Sequence, residues 1–162
     1  MKEVIELKLV PRRDFLELVG LGVLSGAGAA LFPSVVMADT SGPKAVNASI
    51  EKIAGKKKVM TGKITLDLPQ IAENGNTVPV GFSVESPMTK SNYVKSVYLF
   101  SDKNPGHKVA KFHFTPASGK ASASTRMRMI KTQNVIAVAE MSDGSIYTGK
   151  KEVKVTIGGC GG

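Results

Sequence analysis

The chain has 162 residues, of which 42% are hydrophobic, and this is enough for one domain with its own core. It has a single cysteine, which excludes an intramolecular disulfide, and a net charge of +9. The basic residues are spread along the chain and accompany no nucleic-acid-binding motif. The charge therefore favours solubility and the attraction of anions or acidic partners over nucleic-acid binding.

Residues 1–38 have the layout of a twin-arginine export signal. Arg12 and Arg13 precede an apolar stretch at residues 18–31, and a small-residue cleavage pattern ends at Ala38. The apolar stretch is short and diluted with glycine, so a membrane span is the less favoured interpretation. We expect export to the periplasm by the twin-arginine route, with no membrane span in the mature protein.

One short helix is predicted over residues 40–55. Val46, Ile50 and Ile53 recur at the three-to-four spacing of an amphipathic helix. The three lysines at 56–58 are typical of a solvated linker, with a partner-binding patch as the alternative.

Seven strands are predicted after the helix, because the hydrophobic period changes to two. Pro79 indicates that the second strand lies at a sheet edge, since proline cannot donate to a strand ladder. The sixth strand is almost wholly apolar, which predicts a central position, and Asp143-Gly144 predicts a hairpin turn. The predicted strands span residues 64–68, 78–84, 93–100, 109–114, 121–130, 135–141 and 146–157.

Seven strands with polar turns and no helix between them predict an all-β fold. The expected architecture is an immunoglobulin-like antiparallel β-sandwich with a short N-terminal helix and a flexible C-terminal Gly-Gly-Cys-Gly-Gly arm. The domain organisation that follows is a signal peptide at 1–38, the sandwich with its helix at 39–157 and the arm at 158–162.

The sequence before the arm contains no catalytic or metal-binding set. His107 follows a Pro-Gly turn, and His113 lies in a strand where a surface position is expected. Neither belongs to a cluster with metal-ligand spacing. Nucleophile and phosphate-loop motifs do not occur, and the carboxylates are scattered. We therefore predict no catalytic residue, no metal and no cofactor.

Cys160 is the remaining candidate for chemistry. Gly158 and Gly159 precede it, and Gly161 and Gly162 follow it, so its backbone is little restricted and its thiol is accessible. Three residues beyond the last strand give the thiol a reach of roughly 10 Å. An odd cysteine in an exported protein is either paired with another molecule or kept as a reactive thiol. No activating base accompanies it, which suits a covalent carrier better than a catalyst.

Five stretches of the chain from about residue 40 onwards resemble the SoxY family, the sulfur-compound carrier subunits of the bacterial Sox thiosulfate-oxidation system. The arm after a Val/Ile strand is the most specific of them. The stretches are residues 68–75 (Leu-Pro-Gln-Ile-Ala-Glu-Asn-Gly), the strand that contains Pro79, Ser86-Pro87-Met88, the Asn104-Pro105 loop and residues 155–162.

The resemblance implies a carrier that partner enzymes act on, with Cys160 as the covalent attachment point and the four arm glycines as a swinging arm. It implies pairing with SoxZ, a β-sandwich subunit without its own signal, which would explain export in the folded state. A SoxAX-type cytochrome would join thiosulfate oxidatively to the thiol, and SoxB would release sulfate and leave a persulfide. Where SoxCD, a sulfur dehydrogenase, is present, it would oxidise the remaining sulfur.

The residues alone leave two alternatives open. One is a non-catalytic immunoglobulin-like binding or adhesion module whose tail cysteine joins two copies, because this fold serves many such roles. The other is a thiol enzyme, which the lack of a base beside Cys160 disfavours.

Overall fold

The computed structural model describes residues 42–157, which form one α-helix and nine strands in two sheets. The sandwich predicted from the sequence is confirmed, whereas the predicted signal peptide at 1–38 and arm at 158–162 lie outside the described residues. The elements are α1 (Gly42–Ala54), β1 (Val59–Thr61), β2 (Ile64–Asp67), β3 (Ile71–Asn74), β4 (Val78–Val84), β5 (Val94–Ser101), β6 (Lys108–His113), β7 (Ala121–Met127), β8 (Gln133–Met141) and β9 (Ile146–Ile157).

The larger sheet has the strand order β1-β9-β8-β5-β6, and β3 also pairs with β9. Strands β1 and β3 both run parallel to β9: β1 pairs with its first residues, from Ile146, and β3 with its last, up to Ile157. The smaller sheet is antiparallel, in the order β2-β4-β7. The long strand β9 is therefore paired on both sides.

The seven strands predicted from alternation all occur, with ends shifted by a few residues. Strands β1 and β3 were not predicted, because three or four residues are too few to show an alternating pattern. The composition of residues 73–76 (Glu-Asn-Gly-Asn) predicts a turn, but Glu73 and Asn74 belong to β3 and the turn begins at Gly75. These two strands add parallel pairs to the antiparallel sandwich.

The edge position that Pro79 predicted for β4 is wrong, since β4 is the central strand of its sheet. Strand β2 pairs with β4 only from Gly81 onwards, so Pro79 faces a single partner residue, Arg126 of β7. A missing amide hydrogen is tolerated at this position because the strand has a free edge there. The predictions for β8 and for the hairpin are confirmed: β8 pairs on both sides, and Gly144 has a φ of +83°.

The core lies between the two sheets. On β4 the side chains of Val78, Val80, Phe82 and Val84 are buried in alternation, and the Phe82 ring meets that of Phe112 edge-on at 5.1 Å. This alternation buries one face of the sheet and leaves the other to solvent.

A second apolar cluster holds α1 on the outer face of the larger sheet. Val46 and Ala54 of the helix pack there with Ile136, Val138 and Ile146 of β8 and β9. The lysines at 56–58 that follow the helix are exposed, in agreement with the linker interpretation. No helix within residues 42–157 is long and apolar enough to span a membrane.

Three loops surround the end of β9. Because β9, β8 and β5 are successively antiparallel, the C-terminal end of β9 lies beside the start of β8 and the end of β5. Strand β4 begins at the same end of the sandwich and β7 ends there, and the amide of Met129 donates to the carbonyl of Gly75 at 2.7 Å. We call this end, formed by the loops 75–77, 102–107 and 128–132 with the end of β9, the tail end.

Candidate functional site

The predicted site residues Cys160 and Gly158, Gly159, Gly161 and Gly162 lie beyond the described residues, which stop at Ile157. The structure therefore describes the support from which the arm leaves. This support consists of the last residues of β9 and the elements that hold them.

The end of β9 is paired with backbone on one side. Strand β3 lies parallel to it, with Ile71 opposite Lys154 and Asn74 opposite Ile157. The Lys154 amide donates to the carbonyl of Gln70 at 2.9 Å. The hydroxyl of Thr156 donates to the carbonyl of Glu73 at 3.0 Å. Pairing with β3 therefore continues to the last described residue.

On the opposite side of β9, a side chain replaces strand β8 as the hydrogen-bond partner. The ladder with β8 ends where Gln133 pairs with Val153. Two residues further on, the amide of Val155 donates to the Thr132 hydroxyl at 2.9 Å, so this donor keeps a partner after β8 has ended. Val153 is fully buried, and Val155 packs against the edge of the core. The arm therefore follows a strand whose side chains are buried and whose backbone is hydrogen-bonded on both edges.

Asn104 ties two of the tail-end loops together. Its amide nitrogen donates to the Arg128 carbonyl at 2.7 Å. Its oxygen accepts from the Ile130 amide at 3.3 Å and from Nε2 of Gln133 at 2.8 Å. Gln133 is fully buried, and its own oxygen accepts from the Lys103 amide at 3.2 Å. These bonds fix the loop that provides Thr132.

The start of β8 is clamped by a second pair of polar side chains. The Asp102 carboxylate is 6% exposed and accepts from the backbone amide of Asn134 at 2.9 Å and from its side-chain amide at 2.6 Å. A buried carboxylate requires such partners, because burial without them would be costly. The 102–107 loop is consequently held to β8 at two neighbouring residues.

Positive charge dominates the loop side of the tail end. Three cationic side chains are exposed on loops 102–107 and 128–132: Lys103, Arg128 and Lys131. The carboxylate in these loops, that of Asp102, is buried and hydrogen-bonded. The ammonium of Lys103 donates to the carbonyl of Thr132 at 3.1 Å, directly beside β9. An anion that approaches the base of the arm from this side meets an attractive field.

Ile71 gives the other side of the tail end a different character. At 56% exposure, it is the one large hydrophobic residue that is exposed among residues 42–157. Its place on β3, opposite Lys154, puts an apolar contact point beside the last strand.

The two histidines make structural contacts. Nε2 of His107 lies 2.7 Å from the hydroxyl of Ser49, and its ring stacks on Phe100 with centroids 6.0 Å apart. His113 is exposed, as predicted, and its Nδ1 lies 3.0 Å from the Ser96 hydroxyl. In the described part of the chain no three His, Cys, Asp or Glu residues group as metal ligands would.

Most of the stretches that resemble the SoxY family meet at the tail end. Residues 71–74 form β3 beside β9, Pro79 lies near the start of β4, and Asn104 joins the loops. Residues 86–88 lie at the opposite end, where the Ser86 hydroxyl accepts from the Met88 amide at 3.3 Å. Thr132 and Gln133 were not found from the sequence, because contacts between residues distant along the chain leave no local pattern.

The fold and the site define a class of protein: a β-sandwich whose last strand, firmly held, leads to a lone cysteine. The sequence model for SoxY, described as sulfur oxidation protein SoxY, matches residues 50–160, which is more than half of the chain. The chain belongs to the SoxY family. Membership confirms the resemblance found in the sequence and supports the role of a carrier in sulfur oxidation, within a Sox system of partner proteins.

Solved structures agree with this assignment. The sulfur carrier protein SoxY from Chlorobium limicola f. thiosulfatophilum is 33% identical, with a TM-score of 0.59 over 69% of this chain and 96% of that chain. A superoxide reductase (neelaredoxin) from Ignicoccus hospitalis is 16% identical, with a TM-score of 0.52 over 58% of this chain and 80% of that chain, and shares the fold alone. A comparison with the curated proteins found no match.

Proposed function

We propose that the chain is a periplasmic carrier that holds the sulfur intermediates of thiosulfate oxidation covalently on the thiol of Cys160. One observation carries the proposal: the SoxY match runs to residue 160, the position of the only cysteine. The glycines at 158, 159, 161 and 162 serve as a swinging arm that carries the thiol into partner enzymes.

The loading step needs an oxidant, for which we propose a SoxAX-type cytochrome. The Cys160 thiolate and the terminal sulfur of thiosulfate form an S–S bond, and the cytochrome takes up two electrons. The product is a cysteine S-thiosulfonate. Exposed cations on the loop side of the tail end support this step, because thiosulfate is a dianion.

The release step is a hydrolysis, for which we propose a SoxB-type enzyme. Water attacks the terminal sulfonate sulfur and the S–S bond to it breaks. Sulfate and two protons leave, and Cys160 retains a persulfide. A SoxCD-type dehydrogenase, where present, oxidises that persulfide sulfur further. In this proposal the partner enzymes supply the base for these steps, and the chain acts as a substrate carrier, not as an enzyme.

Export and pairing complete the proposal. Residues 1–38 direct the folded chain through the twin-arginine route, and a SoxZ-like subunit without its own signal travels with it as a heterodimer. The similarity to the sulfur carrier protein SoxY from Chlorobium limicola supports the carrier role.

Intact-mass spectrometry after incubation with thiosulfate and the oxidising cytochrome tests the carrier function. The wild-type chain should gain one thiosulfate-derived group that a reductant removes, and Cys160→Ser should gain none. An adduct that persists in Cys160→Ser, or no adduct on the wild-type chain, would contradict the proposal. A non-reducing gel of the protein alone distinguishes the alternative, a binding module that dimerises through its tail cysteine.

A further inference from the structure

A groove of about 460 Å³ lies on the outer face of the larger sheet, between α1 and β6. It lies where α1, which packs over β8, β9 and Phe100 of β5, leaves the rest of the outer face of β5 and β6 uncovered. Its floor is made of Tyr98 and Phe100, whose rings are stacked with centroids 6.5 Å apart. Ile53 of the helix and Val109 of β6 form its walls. We call it the basic groove, for the lysines around it.

The rim of the basic groove is cationic. Lys52, Lys108 and Lys111 line it and are exposed, and the Lys111 ammonium lies 4.9 Å from the centroid of the Tyr98 ring. No carboxylate lines the groove within residues 42–157. In the adjoining depression Glu140 is already paired with Lys95 at 3.1 Å, and this contact raises the pKa of Lys95. The surface therefore suits an acidic, partly apolar partner.

The basic groove is far from the end of β9, although loop 102–107 borders it through His107, which contacts Ser49 and Phe100. Phe100 on its floor pairs with Ile136, and Ile136 pairs with Lys150, which lies seven residues before Ile157. That separation is roughly 23 Å along the strands, with a further ~10 Å across them. Five arm residues span at most about 17 Å, so the arm cannot occupy the groove. A protein bound in the groove would leave the arm free.

We propose that the basic groove is the docking surface for the acidic partner subunit that stays bound while enzymes use the arm. The partner places apolar side chains on Tyr98, whose ring is partly exposed, and carboxylates beside Lys52, Lys108 and Lys111. This inference rests on the proposed function in assuming a bound subunit. A second copy of this chain fits the groove poorly, because each copy carries +9 and would bring the same lysines together.

Charge reversal with a matched control tests the surface. The mature chain is purified with the SoxZ-like subunit, and the dissociation constant is measured at several salt concentrations. Lys108→Glu with Lys111→Glu should weaken binding by about tenfold or more and reduce its salt dependence. The control variant, Lys131→Glu with Lys154→Glu, makes an equal change of net charge at the tail end. It should change the dissociation constant by less than about twofold. A milder variant, Lys108→Gln with Lys111→Gln, removes the two charges without reversing them and should also weaken binding. Circular dichroism checks that every variant is folded.

Each other outcome overturns the groove as the docking surface. Equal weakening by both charge-reversed pairs would mean that only net charge matters, and an effect of neither would place the interface elsewhere. Loss of a homodimer in the groove variant alone would make a second copy the occupant. The Cys160 adduct assay separates this result from the carrier function: an adduct on the wild-type chain with groove-insensitive binding refutes only the groove, whereas no adduct refutes the carrier.

Discussion

The hydroxyl of Thr132 accepts a hydrogen bond from the backbone amide of Val155 at 2.9 Å, two residues after the β8–β9 ladder has ended. A loop side chain thus accepts the hydrogen bond that a neighbouring strand would accept, close to the start of the arm. The contact joins loop 128–132, which carries exposed cations, to the strand that leads to Cys160.

Thr132→Val should loosen the end of β9. Valine keeps the shape of threonine but removes the acceptor, so the Val155 amide loses its partner at a cost of about 0.5–1.5 kcal/mol. Hydrogen exchange at Val155 should become faster by about tenfold. Thr132→Ser keeps the hydroxyl and should exchange at close to the wild-type rate. Equal rates in the valine and serine variants would show that the hydroxyl does not hold the strand.

Asn104→Ala should destabilise the domain more strongly. The change removes three hydrogen bonds and leaves Nε2 of the fully buried Gln133 without this partner. We expect the free energy of unfolding to fall by about 2–4 kcal/mol, since unsatisfied buried groups add to the lost bonds. Urea denaturation measures this. Pro105→Ala, at an exposed neighbouring position, should cost less than about 1 kcal/mol, and an equal loss in both variants would refute the network.

Gly144→Ala should destabilise the β8–β9 hairpin through its backbone. Gly144 has a φ of +83°, where a side chain costs about 1–2 kcal/mol. The added Cβ would also lie 2.5 Å from Nζ of Lys57, but the end of that flexible side chain can move away. Gly106→Ala is the matched control, since its backbone is not left-handed and nothing lies within 4 Å. Thermal unfolding should show a lower midpoint for Gly144→Ala alone, and equal midpoints would contradict the assignment.

The same hairpin predicts an acid-dependent contribution to stability. The Asp143 carboxylate accepts from the Ser145 hydroxyl at 2.7 Å and from its amide at 2.8 Å, and these bonds lower the pKa of Asp143. A lowered pKa stabilises the fold above the unfolded-state pKa of about 3.9, and this contribution is lost as the pH falls through the folded-state pKa.

Ser145→Ala should therefore raise the pKa of Asp143 toward its ordinary value, as an NMR titration of the carboxyl group would show. Its stability deficit should be present at neutral pH and shrink below about pH 4. Ser122→Ala, at an exposed position on β7, is the control and should leave the titration of Asp143 unchanged. A deficit that is constant across the acid range would contradict the explanation.

Local pattern was enough to predict most of the fold. Alternation located the strands that form the core, such as β4, because one face of each is buried and the other is exposed. It missed β1 and β3, whose pairing with β9 is set by tertiary contacts and not by their own three or four residues. The edge position predicted from Pro79 was wrong for a related reason. Pro79 lies at a backbone position without a partner on one side, but it belongs to a central strand, β4, that extends beyond its neighbour β2.

The site was only partly accessible from the sequence. The lone cysteine between glycines is a local feature and could be recognised as such. Asn104 and Gln133 meet across 29 positions of the chain, and a buried glutamine at the start of an apolar strand gives no sign of its partner. Family resemblance pointed to the Asn104-Pro105 loop and to residues 68–75, and the structure explains both as supports of the tail end.

The double-sided pairing of β9 also has a mechanical consequence. If a partner enzyme draws the arm into its site, as we propose, it pulls along the axis of β9, nearly perpendicular to the hydrogen bonds of the β8 ladder. Such a force shears many bonds together and does not open them one after another. Because β8 pairs with one edge of β9 and β1 and β3 pair with the other, the domain should remain folded when its last strand is pulled.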